Sequence, residues 1–566
     1  MTYFRVAALD LDGTLTSQGK LSLAAVEAID AVREDGLAVL LVTGRIQSEL
    51  EGEFPGFADH FDAIVLENGA VSVVGGSVRL LAPPIEPVLT DALASAGVPF
   101  RRGAVLLAVD GKHSPTVVQA ITDLELDYQV IHNRESAMVL PASVTKGNGL
   151  IATLSDMNLS RHNTIAVGDA ENDLSLLEVA EVGVAVANAV QSVRQRADVV
   201  LDTENGKAVA ALLTGPLVSG VQRLCPPRHW VDVGRFDDGS PAQVPGAQAK
   251  ILVTGPSGAG KSYVIGLMAE RWIMAGYSVL VLDPEGDHVG LGELSNVRIV
   301  DAAEHLPQPV DLLRSMIHPL ISVVLDMSGL GMADQVAYLR RLRAVVSAQR
   351  AQHGVPHWVV LDEAHLDEDE AAENTQSWTP RTGYCLASFM PELIPASSVE
   401  STDVVLQLQN GEDDAGLTSR TLPERSTIQV GRGPARSFLI GDRRTAHVRH
   451  RHKYADQTLP PPRRFYFHVT HGEPIVAGTL NEFRAAVNHC DPAVLEYHLV
   501  RGDLSRWLKG TIADQQLGAL VAALEGDLAG RRAADIERVR RELVRAITER
   551  YVQDSRAPKR PHRQSH

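Results

Sequence analysis

Cysteine is scarce in this 566-residue sequence: Cys225, Cys385 and Cys490 stand far apart, and no CxxC pair occurs. That excludes a disulfide framework and a thiolate metal site, and fits a reducing, cytoplasmic setting. Long apolar runs are missing too. No stretch approaches the ~18–20 apolar residues of a membrane span. The opening MTYFRVAALDLDG enters a strand-like run at once and leaves no room for a secretory leader. Positive charge is in deficit. With 53 Lys+Arg against 70 Asp+Glu the formal charge is −17, which excludes a surface basic throughout but leaves open a basic channel built by oligomerisation. The bases concentrate late, in GDRRTAHVRHRHKY (441–454) and RRAADIERVRRELVRAITERY (531–551). The second run reads as a solvated helix face of alternating sign.

What is present is an ordinary globular composition, 45% hydrophobic, in a chain long enough for about three domains. Residues 1–215 alternate apolar strand runs with helical patterns, which predicts a parallel-sheet α/β domain. GPLVSGVQRLCPPRHW (215–230) breaks that rhythm with glycine and paired proline. A second α/β pattern spans 229–452, introduced by two short strand-like pieces around DDGS. KYADQTLPPPRRF reads as a linker, a small and mostly helical unit follows over 463–552, and 553–566 reads as a disordered tail. No internal repeat is visible.

The first chemical signal is FRVAALDLDGT. It sets Asp10 and Asp12 where a strand gives way to a loop, and extended geometry turns residues i and i+2 to one side. Gly13 permits the tight turn. AVLLVTGR ends a second strand at Thr43, whose hydroxyl and backbone N–H suit a phosphate oxygen, and VTKGNGL supplies Lys146 as a point charge. TIAVGDAENDLSLL ends a strand at Gly168 and starts a helix with Asp169 and Asp173, four apart and on one face. Carboxylates converging on one pocket repel, each close pair by roughly 1–4 kcal/mol at ~4 Å. A hard divalent cation removes that cost, and all-oxygen ligands beside a phosphate favour Mg²⁺.

In this order and at these strand ends, DLDGT, VTGR, the lysine and GDAEND resemble the haloacid dehalogenase-like phosphatases. The resemblance implies a Rossmann-like core in which Asp10 attacks phosphorus, Asp12 protonates the leaving oxygen and later activates water, and Thr43 and Lys146 stabilise the transferring group. It also implies a metal set drawn from Asp10, Asp12, Asp169 and Asp173, with Asn172 assisting. Residues 83–142, read as helix, strand, helix, strand, resemble the small α/β cap of the Cof-like branch, whose members act mainly on sugar phosphates and similar esters. A closing cap would exclude bulky substrates. Arg134 falls where cap residues meet a leaving group and reads equally as a surface residue.

The second signal is KILVTGPSGAGKSYVIGLMAERW, a strand, a glycine loop and a helix with the G-x4-G-K-S pattern. Gly255, Gly258 and Gly260 shape an anion cradle at the helix N-terminus, Lys261 meets the β/γ-phosphates of ATP, and Ser262 meets its Mg²⁺. HWVVLDEAH then supplies Asp362 for Mg²⁺ and Glu363 to orient water, which favours hydrolysis over transfer to a hydroxyl. With LDPEGDH and VVLDMSGL, these motifs resemble the HerA/FtsK/VirB4-like ATPases, RecA-like domains that usually form ring motors, many acting on DNA. Two departures stand out. GYCLASFMPELIP replaces the usual polar strand end, offering Ser388 followed by Phe389, and the family's N-terminal barrel is replaced by the phosphatase-like half. Arg443, Arg444 and Arg449 are candidates for a trans-acting finger.

In the third unit His498 and Asp503 read as a hydrogen-bonded buried histidine and a helix cap more readily than as site residues. The whole predicts a bifunctional enzyme: a Mg²⁺-dependent phosphatase for a small phosphoester, fused to an ATPase, acting as a homo-oligomer, a ring being one form, away from membranes. The alternative is a nucleic-acid motor whose phosphatase trims phosphorylated ends. Net acidity and the capped pocket weigh against it; the 441–454 run weighs for it.

Overall fold

The computed structural model describes all residues except 1–2, 18, 134–135, 257–258, 365–381, 389–399, 410–425, 447–458, 460, 469–473, 513, 530–535 and 552–566. Its first core is a sheet of eight strands ordered Val199–Val200, Val182–Ala185, Thr164–Gly168, Val6–Leu9, Ala38–Val42, Ala63–Leu66, Val71–Val74 and Ser77–Leu80. Val6–Leu9 is buried at every residue and pairs in parallel with Thr164–Gly168 on one side and Ala38–Val42 on the other. That is the continuous apolar run expected of a strand covered on both faces. The helix Leu23–Glu34 buries Ala25, Ala28, Ile29 and Val32, one stripe at helical spacing. Because the three central strands run parallel, Asp10, Thr43 and Asp169 follow them at one sheet edge.

The inserted segment departs from the helix, strand, helix, strand expectation. Helices Pro87–Ser95 and Ser114–Asp123 are each followed by two strands, giving a four-stranded sheet ordered Tyr128–Asn133, Ser136–Pro141, Leu107–Asp110 and Phe100–Arg102. Phe100–Arg102 escapes a sequence reading because two of its three residues are exposed arginines, which leaves no apolar alternation.

The second core is a sheet of eleven strands. Seven run in parallel: Val404–Gln407, Lys250–Thr254, Tyr384–Ser388, Trp358–Leu361, Val279–Asp283, Ser322–Asp326 and Val297–Asp301. Four antiparallel strands extend one side, ending in the hairpin Val231–Phe236 and Pro241–Val244. Trp272 on the helix Lys261–Met274 stacks on Trp358 with centroids 3.9 Å apart, locking that helix to the sheet.

Both cores belong to one compact unit, residues 1–284 with 288–447. The Gly- and Pro-bearing stretch between them is fastened down rather than loose. Arg228 donates to Asp198 and to the Leu177, Ala180 and Glu181 carbonyls, and Arg223 forms a bidentate pair with Asp403 at 2.9 and 3.1 Å.

Among its described residues the other unit holds the hairpin Phe465–Phe467 and Ile475–Ala477 with five helices between Leu480 and Tyr551. Its aromatic core includes Phe483 stacked on Trp507 at 4.5 Å. His498 Nε2 accepts from the His468 backbone N–H, and its Nδ1 lies 2.9 Å from Asp503. Among the described residues no helix is long and apolar enough to cross a membrane.

Candidate active sites

At the first sheet edge the chain brings Asp10, Lys146, Asp169 and Asp173 together. Lys146 opens the helix Lys146–Asp156, capped by the Thr145 hydroxyl, and is almost fully buried. Its Nζ donates to Asp10 Oδ1 at 2.5 Å and to Asp173 Oδ1 at 2.6 Å. The other Asp173 oxygen accepts from the Asp169 and Ala170 backbone N–H groups at 2.9 and 3.0 Å. Gly168 leaves room for this: a Cβ there would meet the Asp173 side chain at 2.5 Å.

Asp10, Asp169 and Asp173 each present one carboxylate oxygen, and these lie within 4.8 Å of one another. Burial, and then the Asp173 charge, push the Asp10 pKa well above the ordinary carboxylate range, against the opposing pull of Lys146. Burial works to lower the Lys146 pKa, yet the Asp10 and Asp173 charges outweigh it and raise it. The donor chemistry fits a hard divalent ion: three buried carboxylates, all oxygen, in one spot. Thr43 is fully buried at the same edge, its hydroxyl accepting from the Arg45 backbone N–H at 3.2 Å.

Asp12 stands beside this trio. Its carboxylate is not among the three that converge, because the Arg45 guanidinium takes both its oxygens at 2.8 Å. Arg45 is itself anchored by Glu53 at 2.5 Å.

Three residues here escaped sequence reasoning. Besides Arg45, they are Glu67 and Asn68, consecutive left-handed residues at φ 54° and 56°. Asn68 Oδ1 accepts from Asn172 Nδ2 at 3.2 Å. The Glu67 carboxylate accepts from the Ala104, Val105 and Leu106 backbone N–H groups at 2.6 to 2.9 Å, tying the inserted segment to the core. The signal lay in Glu-Asn-Gly straight after a strand, a turn composition. Arg134 lies outside the described residues.

At the second sheet's edge, Gly255 has φ 149° and a Cβ there would meet the Leu408 carbonyl oxygen at 2.6 Å, so only glycine fits. Gly260 precedes the helix in a left-handed conformation, and Lys261 and Ser262 begin it. Lys261 Nζ donates to the Gly255 and Pro256 carbonyls at 3.1 Å. Asp362 follows the strand Trp358–Leu361, fully buried, with Oδ2 3.1 Å from His288 Nε2. Glu363 has φ 53°, uncommon for a side chain of its size, and its N–H donates to Asp362 Oδ1. Ser388 pairs in register with Thr254, the last residue of the loop-bearing strand. Arg443 packs on its own chain: its N–H donates to Tyr263 and its guanidinium to Thr445. The Arg444 N–H donates to Glu270. Gly258, Phe389 and Arg449 lie outside the described residues.

Comparison with known proteins gives each core a likeness. The model of the haloacid dehalogenase-like hydrolases matches residues 7–79 and 103–213. A phosphoglycolate phosphatase of Methanothermobacter thermautotrophicus is 32% identical over 220 residues, covering 36% of this chain and 96% of that one. The chain belongs to the haloacid dehalogenase-like hydrolases. Phosphoglycolate phosphatase 2 of Saccharolobus solfataricus is 30% identical, over 31% of this chain and 75% of its own. A solved haloacid dehalogenase-like hydrolase from Bacteroides thetaiotaomicron aligns over 37% of this chain and 98% of its own, at 20% identity and a TM-score of 0.33. The family model described as Helicase HerA, central domain, matches residues 245–370. This haloacid dehalogenase-like phosphatase is therefore fused to a HerA-type P-loop ATPase domain.

Proposed function

We propose that the first core hydrolyses a small phosphomonoester, of the phosphoglycolate or sugar-phosphate kind, through an aspartyl-phosphate on Asp10, and that the second hydrolyses ATP. The observation that carries this reading is the buried meeting of Lys146 with Asp10 and Asp173 beside Asp169. Asp10 supplies the attacking carboxylate oxygen, while Lys146 and Thr43 hold the phosphoryl oxygens. Asp12 gives a proton to the leaving oxygen, then takes one from the water that cleaves the acyl phosphate. Asp10, Asp169 and Asp173 would hold Mg²⁺, which supplies charge neutralisation to the carboxylates and the phosphoryl group. Two relatives named phosphoglycolate phosphatases and the inserted α/β segment support a small substrate.

In the ATPase half, the N–H groups around Gly255, Gly258 and Gly260 cradle phosphate. Lys261 would exchange its loop carbonyls for the β/γ-phosphates, Ser262 and Asp362 would hold Mg²⁺, and Glu363 would orient water. We place the enzyme in the cytoplasm, where three free cysteines stay reduced. Homo-oligomerisation belongs to the same reading.

A panel of phosphoglycolate, sugar phosphates, nucleotides and 3′-phosphorylated oligonucleotides, assayed with and without DNA, tests it. Small-ester turnover indifferent to DNA supports the proposal. Turnover confined to oligonucleotides, with ATP hydrolysis stimulated by DNA, replaces it with the nucleic-acid motor.

A further inference from the structure

A second cluster with the makings of a metal site lies away from both catalytic edges, where the phosphatase core meets the ATPase core. His162, Glu181 and His229 each offer one ligand atom, all within 4.8 Å of one another. His162 belongs to the turn Arg161–Asn163, Glu181 precedes the strand Val182–Ala185, and His229 ends the turn Pro227–His229, two residues before the strand Val231–Phe236.

Both imidazoles are oriented through one nitrogen. His162 Nε2 lies 3.0 Å from the Ala275 carbonyl oxygen, and His229 Nε2 lies 3.0 Å from that of Ala180. A carbonyl only accepts, so each Nε2 carries its proton and a neutral ring has its lone pair on Nδ1; at His162 that Nδ1 accepts the Glu181 carboxyl proton across 2.8 Å, a proton that an ion would displace. A backbone carbonyl fixing the far nitrogen is the usual way a ligating histidine is aimed.

Glu181 completes the set. It is fully buried, and its Oε2 lies 2.8 Å from His162 Nδ1 and accepts from the Tyr277 hydroxyl at 2.9 Å. Its Oε1 is buried without a hydrogen-bond partner, as is the Tyr3 hydroxyl. A native core leaves few such atoms unexplained. Tyr277 also stacks on the His162 ring at 3.6 Å, fixing its plane.

We propose that His162, Glu181 and His229 bind a Zn²⁺ ion that fastens the phosphatase core to the ATPase core, with Tyr277 positioning the carboxylate. Two imidazole nitrogens and one carboxylate oxygen suit a borderline ion better than Mg²⁺. Bond lengths of ~2.0–2.2 Å at tetrahedral angles set neighbouring ligand atoms roughly 3.3 Å apart. The His162 and Glu181 contact at 2.8 Å would open by about half an ångström, or Glu181 would bind through Oε1. His229, only partly buried, marks the side from which the ion and a water ligand enter.

The site also touches the nucleotide machinery. Ala275 caps the C-terminal end of the helix that begins with Lys261, and its carbonyl accepts from Arg161 as well. The ion would hold that helix end against the phosphatase.

The test uses the full chain, stripped with a chelator and returned to excess Mg²⁺, which occupies the Asp10 site. Zn²⁺ uptake is measured by calorimetry, and Co²⁺ substitution by its visible d–d absorption. The account expects one Zn²⁺ per chain and a tetrahedral Co²⁺ spectrum. Both should vanish in His229→Gln, whose amide keeps the Ala180 hydrogen bond, and persist in Asp169→Asn. Tyr277→Phe should weaken binding ~10–100-fold. Wild-type protein that takes up no Zn²⁺, or uptake that survives His229→Gln or disappears in Asp169→Asn, overturns the assignment.

Discussion

Lys146 Nζ stands between Asp10 Oδ1 at 2.5 Å and Asp173 Oδ1 at 2.6 Å, with all three side chains buried. One cation thus compensates two carboxylates that would otherwise face each other away from water. Lys146→Met should destabilise the chelated protein by about 3–5 kcal/mol, the usual cost of stranding buried charge. Mg²⁺ should restore part of that. Chemical denaturation in chelator and in Mg²⁺ checks both expectations, and phosphate release should be lost in either case.

Asp12 is held by Arg45 through both carboxylate oxygens, so its role is separable from that of the converging carboxylates. Asp12→Asn should lower the rate of phosphate release ~10²–10⁴-fold, the range of general acid–base catalysis. Mg²⁺ affinity should change little. Steady-state kinetics beside a Mg²⁺ titration distinguishes the two effects.

The Glu67 carboxylate collects the Ala104, Val105 and Leu106 N–H groups. Glu67→Gln replaces a charged acceptor by one amide oxygen and should cost roughly 1–3 kcal/mol. The inserted segment should become more sensitive to protease, and turnover of small esters should fall. Thermal melts, limited proteolysis and the substrate assay provide the readouts.

His357 is buried as a neutral ring: Nδ1 accepts from the Ser278 N–H at 2.8 Å, and Nε2 faces Asn163 Oδ1 at 3.1 Å. Burial holds its pKa well below the ordinary 6.5. Below pH 6.5 the unfolded chain gains a proton that the folded chain refuses, so stability is present above that pH and is lost as pH falls. His357→Gln should flatten that part of the profile, read from denaturation midpoints across the acid range.

Much of the phosphatase site was legible because its chemistry sits at strand ends. Asp10 after VAAL and Asp169 after TIAVG are fixed by local pattern, and parallel pairing brings them to one edge. Lys261 and Asp362 were legible for the same reason. The Asp12 pairing with Arg45 was not legible because a pattern gives the direction of a side chain, not its partner, and Arg45 lies 33 residues away. Glu67 and Asn68 hid in turn chemistry. The His162, Glu181 and His229 cluster hid in distance: its members are unremarkable in sequence and meet only where two cores pack.

The central claim is that Asp10 is the nucleophile of a metal-assisted phosphatase site separate from the ATPase. Its most direct test is the rate of phosphate release from phosphoglycolate and sugar phosphates in Mg²⁺ by wild type, Asp10→Asn and Lys261→Ala, with ATP hydrolysis measured in parallel. Asp10→Asn should abolish ester hydrolysis and keep ATP turnover, while Lys261→Ala should do the reverse. Ester hydrolysis by Asp10→Asn at a rate close to wild type would contradict the account.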